Sequence, residues 1–213
     1  MGVTPSRSRR ARLGRVAALM AIFGPCCYIF LTIGLGLAWS GYDPVRDTQS
    51  ELGAVDSPFR WLMNIVGFMG LGVCIVAFEV AYGFLLRGGW LRWVAVGLLT
   101  LAGAGMVIVG NFPCDSGCVD VTTTGRLHGL FSAPGAIGLP AAAVVSASVL
   151  RRDGRWSTTW QVASFTVGVL SLASGPLIAA EVLPQANGML QRAGMWPALA
   201  WMVAMALRLR RIT

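Results

Sequence analysis

Apolar runs of about 20 residues recur along the whole chain, each the length a helix needs to cross a hydrocarbon layer of about 30 Å. Inside lipid no water is available for peptide N–H and C=O groups, so an immersed segment must satisfy its own backbone, as a helix does. Charged residues make up only 12% of the chain, against about 25% in ordinary soluble domains. The pattern predicts an all-α fold: a polytopic membrane helical bundle of six transmembrane helices. The spans are expected near residues 16–39, 61–86, 93–112, 127–150, 160–180 and 193–207, the last being the shortest. The length fits a single domain. Its expected parts are a basic segment 1–15, a membrane domain 16–207 and a basic tail 208–213. The first apolar run exceeds the roughly 7 to 15 residues of a signal-peptide core, so it reads as a retained anchor.

Orientation follows from the arginines. Arg7, Arg9, Arg10, Arg12 and Arg15 precede the first span, and Arg87, Arg92, Arg151, Arg152, Arg155, Arg208, Arg210 and Arg211 fall on the same side. The other side holds Arg46, Arg60, Arg126 and Arg192. Basic residues stay in the cytoplasm, so both termini are expected there, in a plasma membrane. Trp39, Trp61, Trp90, Trp93, Trp156 and Trp160 lie near span ends, where interfacial aromatics belong. The formal charge of +8 does not point to nucleic acid, because the arginines are scattered through links and form no basic face. The expected surroundings are a lipid bilayer, with a second copy or another membrane protein as a further partner.

Small residues at helical spacing, Ser164 with Gly168, Ser171 with Gly175, and Gly103 with Gly110, suit close helix contacts. Pro25, Pro134, Pro140, Pro176 and Pro197 fall within spans and remove backbone donors there. Ordinary tight packing and a cavity lined by broken helices both fit this pattern.

The groups able to carry chemistry gather on the outer side: Asp43, Asp47, Glu51, Asp56, Asp115, Asp120, Glu181 and the single histidine, His128. An imidazole at a membrane boundary needs a partner, and Asp115 or Glu51 could supply one. The cluster reads either as a clamp tying loops to the bundle or as a binding or catalytic site. In a catalytic version His128 would act as base, oriented by Asp115, with Arg192 holding an anion. Cys114 and Cys118 occupy an outer loop, where a disulfide can persist. Cys26, Cys27 and Cys74 lie in spans as packing residues. Glu79, the one acid inside a span, falls close to the cytoplasmic boundary and reads as snorkelling or paired with Arg87 or Arg15. Local ligand spacing supports no metal site, and no cofactor is expected. The chain has no Walker-type loop, His-Glu-x-x-His or Gly-x-Ser-x-Gly elbow.

The segment Tyr42-Asp43-Pro44-Val45-Arg46-Asp47-Thr48-Gln49-Ser50-Glu51-Leu52-Gly53 resembles the first-loop signature of a bacterial and archaeal membrane family, domain of unknown function 998. Phe112-Pro113-Cys114-Asp115, Gly125-Arg126-Leu127-His128-Gly129 and Gly188-Met189-Leu190-Gln191-Arg192 resemble it too. The resemblance spans nearly the whole chain and implies a six-helix integral membrane protein. Its recurrent polar positions fall on Ser50, Glu51, Asp115, His128 and Arg192, the candidate ligand-binding residues. The paired Cys114 and Cys118, a candidate disulfide, depart from the family pattern. No reaction comes with the resemblance.

Three functions therefore stand open. The first is an outward-facing polar cluster that binds a small ligand, lipid head group or ion. The second is a structural or partner-binding subunit. The third is a transporter or membrane-embedded enzyme.

Overall fold

The computed structural model describes residues 7–211. Residues 1–6 of the basic N-terminal segment and 212–213 of the tail lie outside the described residues. The described chain is helical and contains no strand. Its long helices are α1 (Arg7–Ala38), α2 (Arg60–Leu85), α3 (Trp90–Val109), α4 (Thr123–Asp153), α5 (Thr158–Ala179) and α6 (Asn187–Arg211). All but α6 contain a stretch long and apolar enough to cross a membrane. Gln191 and Arg192 at one end of α6, and Arg208, Arg210 and Arg211 at the other, shorten its apolar middle.

Each helix packs on the next, and α6 returns against α1 to close a ring. Helix α6 also touches α2 and α4. The shared core includes Phe78, Tyr82, Leu99, Leu139, Leu150, Leu199 and Met202, all fully buried. Large apolar side chains are turned outward as well: Phe23, Phe30, Leu37, Phe84, Leu101, Leu130, Phe165 and Leu170 are each more than half exposed. A soluble monomer rarely exposes so many large apolar side chains. A bundle solvated by lipid has no reason to hide them.

Close approaches occur where side chains are absent. A Cβ on Gly72 would sit 2.6 Å from Gly103 O, and one on Gly103 would sit 2.7 Å from Val76 Cγ2, so α2 and α3 meet backbone to backbone. Gly168 lies on Pro140 O and Val144, and with buried Ser164 and Ser171 it forms the narrow face by which α5 is held. Gly175 faces open space and takes no part in that contact. The five prolines expected inside spans all lie inside helices.

Beyond the expected spans, the helices run on. The first continues back through the arginines to Arg7, and α6 starts at Asn187. Within α2, Met63–Met69 forms a wider π-helical turn. Asn64 lies in it, and its amide donates to Gly53 O and Arg60 O, both at 2.8 Å.

The two ends of the bundle differ. One end carries the start of α1, the end of α6 and the short links. There Arg155 binds Asp153 (Nε to Oδ1, 2.6 Å) and Leu85 O, and Arg87 N donates to Asp153. Trp156, placed by sequence at a lipid interface, is instead buried here, packed on Trp160 with Arg208 over its ring. The other end, hereafter the capped end, is covered by the longer loops.

Candidate functional site

The loop leaving α1 turns at Gly41, whose φ of 91° suits a residue without a side chain. Asp43 and Asp47 then shape the next turn: Asp43 Oδ1 accepts from Val45 N, and Asp47 Oδ2 accepts from Asp43 N. The loop docks on the first turn of α6 through two backbone bonds, Gly188 N to Arg46 O at 3.0 Å and Met189 N to Val45 O at 2.9 Å. Gly188 is needed for this approach, since a Cβ there would collide with Asp47 O and Pro44 O.

Arg192 closes the same contact. Its guanidinium donates to Pro44 O (2.7 Å), Asp47 O (3.1 Å), Gly188 O (2.9 Å) and the Tyr42 hydroxyl (2.6 Å). The Tyr42 hydroxyl in turn donates to the carbonyls of Asp47 and Thr48. Burial pushes the Tyr42 phenol up, although the Arg192 guanidinium opposes the shift. One residue earlier, Gln191 accepts from Gln49 N at 2.6 Å and reaches Ser50 Oγ at 3.4 Å. Trp196 donates to Gln49 Oε1 at 2.8 Å. Glu51 caps its own turn, Oε1 accepting from the backbone N–H and hydroxyl of Thr48.

A second loop follows α3. Asp115 is 7% exposed and accepts from Val121 N, Thr122 N and Thr122 Oγ1. Thr122 then caps α4 by accepting from Gly125 N. The Thr122 backbone and side-chain donors hold the Asp115 carboxyl below the usual carboxylate range. Asp115 is thus spent on the helix start and Glu51 on Thr48, so neither of the two acids expected to pair with His128 does so. His128 Nδ1 instead bonds Phe112 O at 2.7 Å, and the ring packs edge-on to Phe68. Its Nε2 is buried without a partner. The sulfurs of Cys114 and Cys118 are bonded to each other. Val55 N to Cys114 O (3.0 Å) and Ser116 Oγ to Asp56 (2.5 Å) join the two loops.

The five candidate residues therefore share one end of the bundle but do not meet in one pocket. Ser50 and Arg192 belong to the α6 contact, Asp115 to the α4 cap, and His128 to Phe112 with a ring nitrogen within 4.8 Å of both cysteine sulfurs. Glu51 alone of the five lines an open depression at this end, a space of about 330 Å³. Trp39, Tyr42, Arg46, Asp47, Asp56 and Ser116 are the other chemically distinctive walls. Trp39 and Tyr42 stack with ring centroids 5.8 Å apart. Arg46 pairs with Asp47 at 2.6 Å. Burial would raise the Asp47 carboxyl, but this guanidinium and the Asp43 N–H bring it below its ordinary value. Sequence reasoning noted these acids and Trp39 singly. The signal that could have joined them is the spacing of Trp39, Tyr42 and Arg46 around a glycine turn.

A family model described as a protein of unknown function, DUF998, matches residues 21–208. The chain belongs to DUF998. The match runs from α1 to α6, so every element that builds the capped end of this DUF998 protein falls inside it. Comparison with curated proteins gives no match, and comparison with solved structures gives none.

Proposed function

We propose that the capped end of this DUF998 membrane protein faces out of the cytoplasm, in the plasma membrane, and binds a small ammonium-bearing ligand such as a lipid head group. The observation that carries this reading is the depression beside Trp39, where an aromatic pair and three carboxylates, Asp47, Glu51 and Asp56, stand against one guanidinium, Arg46. Aromatic faces attract cations by about 0.5–2 kcal/mol each, more as water is excluded. Excess carboxylate adds to that attraction, while Arg46 could meet the phosphate of a zwitterionic head group. Trp39 follows directly on the last residue of α1, so the depression would lie at head-group level. The distribution of arginines supports the orientation. The signature residues Ser50, Asp115 and Arg192 act as the scaffold that holds this mouth, which combines the binding and clamp readings.

The test is calorimetric titration of the full chain in an uncharged detergent with phosphocholine, phosphoethanolamine and inorganic phosphate. The two amines should bind and phosphate alone should not. Trp39→Ala and Glu51→Gln should each weaken amine binding about tenfold, corresponding to about 1.4 kcal/mol. Equal binding of all three probes, or variants that bind like the parent, would refute the reading. An accessibility map of Cys-substituted Ser40 and Thr213 in intact cells tests the orientation.

A further inference from the structure

His128 is 4% exposed, and its Nε2 has no hydrogen-bond partner. Leaving a buried imidazole nitrogen unpaired costs free energy unless the site has another use for it. The tautomer is set by the other nitrogen. Phe112 O can only accept, so Nδ1 carries the hydrogen and Nε2 presents a bare lone pair. Metal-binding histidines are held in this way, one ring N–H donated to a carbonyl and the second nitrogen free to ligate. A ring nitrogen of His128 and the Sγ atoms of Cys114 and Cys118 all lie within 4.8 Å of one another.

We propose that Cys114, Cys118 and His128 form a redox-gated site for a thiophilic d10 cation, Zn2+ or Cu+. Two thiolates and one imidazole are a donor set such ions prefer over carboxylate sites. In the oxidised chain the sulfur lone pairs belong to a disulfide and the site is closed. A dithiol reductant opens it: the S–S bond breaks, the two sulfurs take two electrons and two protons, and the dithiol leaves as its own disulfide. Binding then expels the two thiol protons as both sulfurs and Nε2 coordinate the cation. Cys118 lies with Gly117 in a short 3-10 turn, Ser116–Cys118, with backbone φ of 51° and 66° respectively, and the change of sulfur spacing on opening would fall on this turn. Cys26, Cys27 and Cys74 lie in α1 and α2 and take no part.

The experiment uses the full chain in detergent. It is reduced with a water-soluble phosphine, which ends as the phosphine oxide by taking oxygen from water. It is then titrated separately with Zn2+ and with Cu+ against a chromophoric chelator. The reduced chain should bind one equivalent of at least one of these ions, and the oxidised chain none. Cys114→Ser and Cys118→Ser should abolish binding. His128→Gln should weaken it about tenfold or more, while a chain with Cys26, Cys27 and Cys74 all changed to Ala should bind like the parent. X-ray absorption of the loaded parent should show two sulfurs and one nitrogen, at about 2.3 Å and 2.0 Å if the ion is zinc. That measurement decides the matter even if His128→Gln fails to fold. Failure of the reduced parent to bind either ion, or a metal shell without nitrogen, overturns the proposal.

Discussion

Replacing Arg192 by Ala removes the guanidinium bonds that fasten the first loop to α6 and leaves those of Gln191 and Trp196 to Gln49 in place. The guanidinium makes four contacts, to Pro44 O, Asp47 O, Gly188 O and the Tyr42 hydroxyl. The Pro44 contact is solvent-exposed and contributes little, whereas the other three are partly buried. The Gly188 bond lies within α6, so the loop itself loses two partly buried bonds, to Asp47 O and the Tyr42 hydroxyl, and at about 1–1.5 kcal/mol net for each the loss is about 2–3 kcal/mol. That loss falls on the docking of the loop, since the core of α6 around Leu199 and Met202 is untouched. The two amides that dock the loop, Gly188 N and Met189 N, should therefore exchange their hydrogens about 30- to 150-fold faster. Amides in the middle of α6 should keep their parent rates. Hydrogen exchange read by mass spectrometry on peptides spanning 184–195 gives both numbers. Arg192→Lys should recover only part of the protection, because one ammonium cannot reproduce the planar fork. If Gly188 and Met189 exchange at the parent rate in Arg192→Ala, the loop is held by something else and the clamp reasoning fails.

Other substitutions probe different joints of the same architecture. Gly188→Ala puts a methyl against Asp47 O and Pro44 O and should cost about 1–3 kcal/mol, seen as a lower melting temperature in detergent. Asp115→Asn should flatten the acid limb of a stability–pH curve. The folded Asp115 carboxyl sits below its ordinary value, chiefly through the Thr122 donors, so the unfolded chain binds more protons. Its stabilisation is therefore present above the usual carboxylate range and disappears as pH falls through the depressed folded value, and an unchanged acid limb in the variant would count against the cap. Tyr82→Phe removes the 2.7 Å bond to Ser146 Oγ deep between α2 and α4, and a loss of about 1 kcal/mol is expected in equilibrium unfolding. Gly168→Leu should drive α5 off Pro140 O and Val144, and chemical cross-linking between α4 and α5 should drop with it.

Much of the helical layout could be read from hydropathy, because lipid imposes the same length on every crossing. Helix ends could not. Helix α1 reaches back through the arginines to Arg7, and α4 begins where Thr122 caps it, neither of which hydropathy records. The polar cluster was legible as a group of residues on one end, and its partners were not. Trp156 reads as an interfacial ring from its position, yet α6 brings Arg208 across and buries it. Arg192 reads as an anion-binding group, yet backbone carbonyls more than 140 positions earlier take up its donors.

The sequence alone determined that this protein is a bundle of membrane-crossing helices and that most of its acids, with its one histidine, collect at one end. Those properties follow from hydrocarbon length and from the cost of placing charge in lipid, both of which act on each segment separately. The tertiary structure alone decided who pairs with whom. It spent Asp115 and Arg192 on the scaffold, stacked Trp39 on Tyr42 beside a carboxylate-lined depression, and left a ring nitrogen of His128 near two sulfurs. Such pairings depend on how loops distant in sequence cross the end of the ring, and hydropathy holds no record of that crossing.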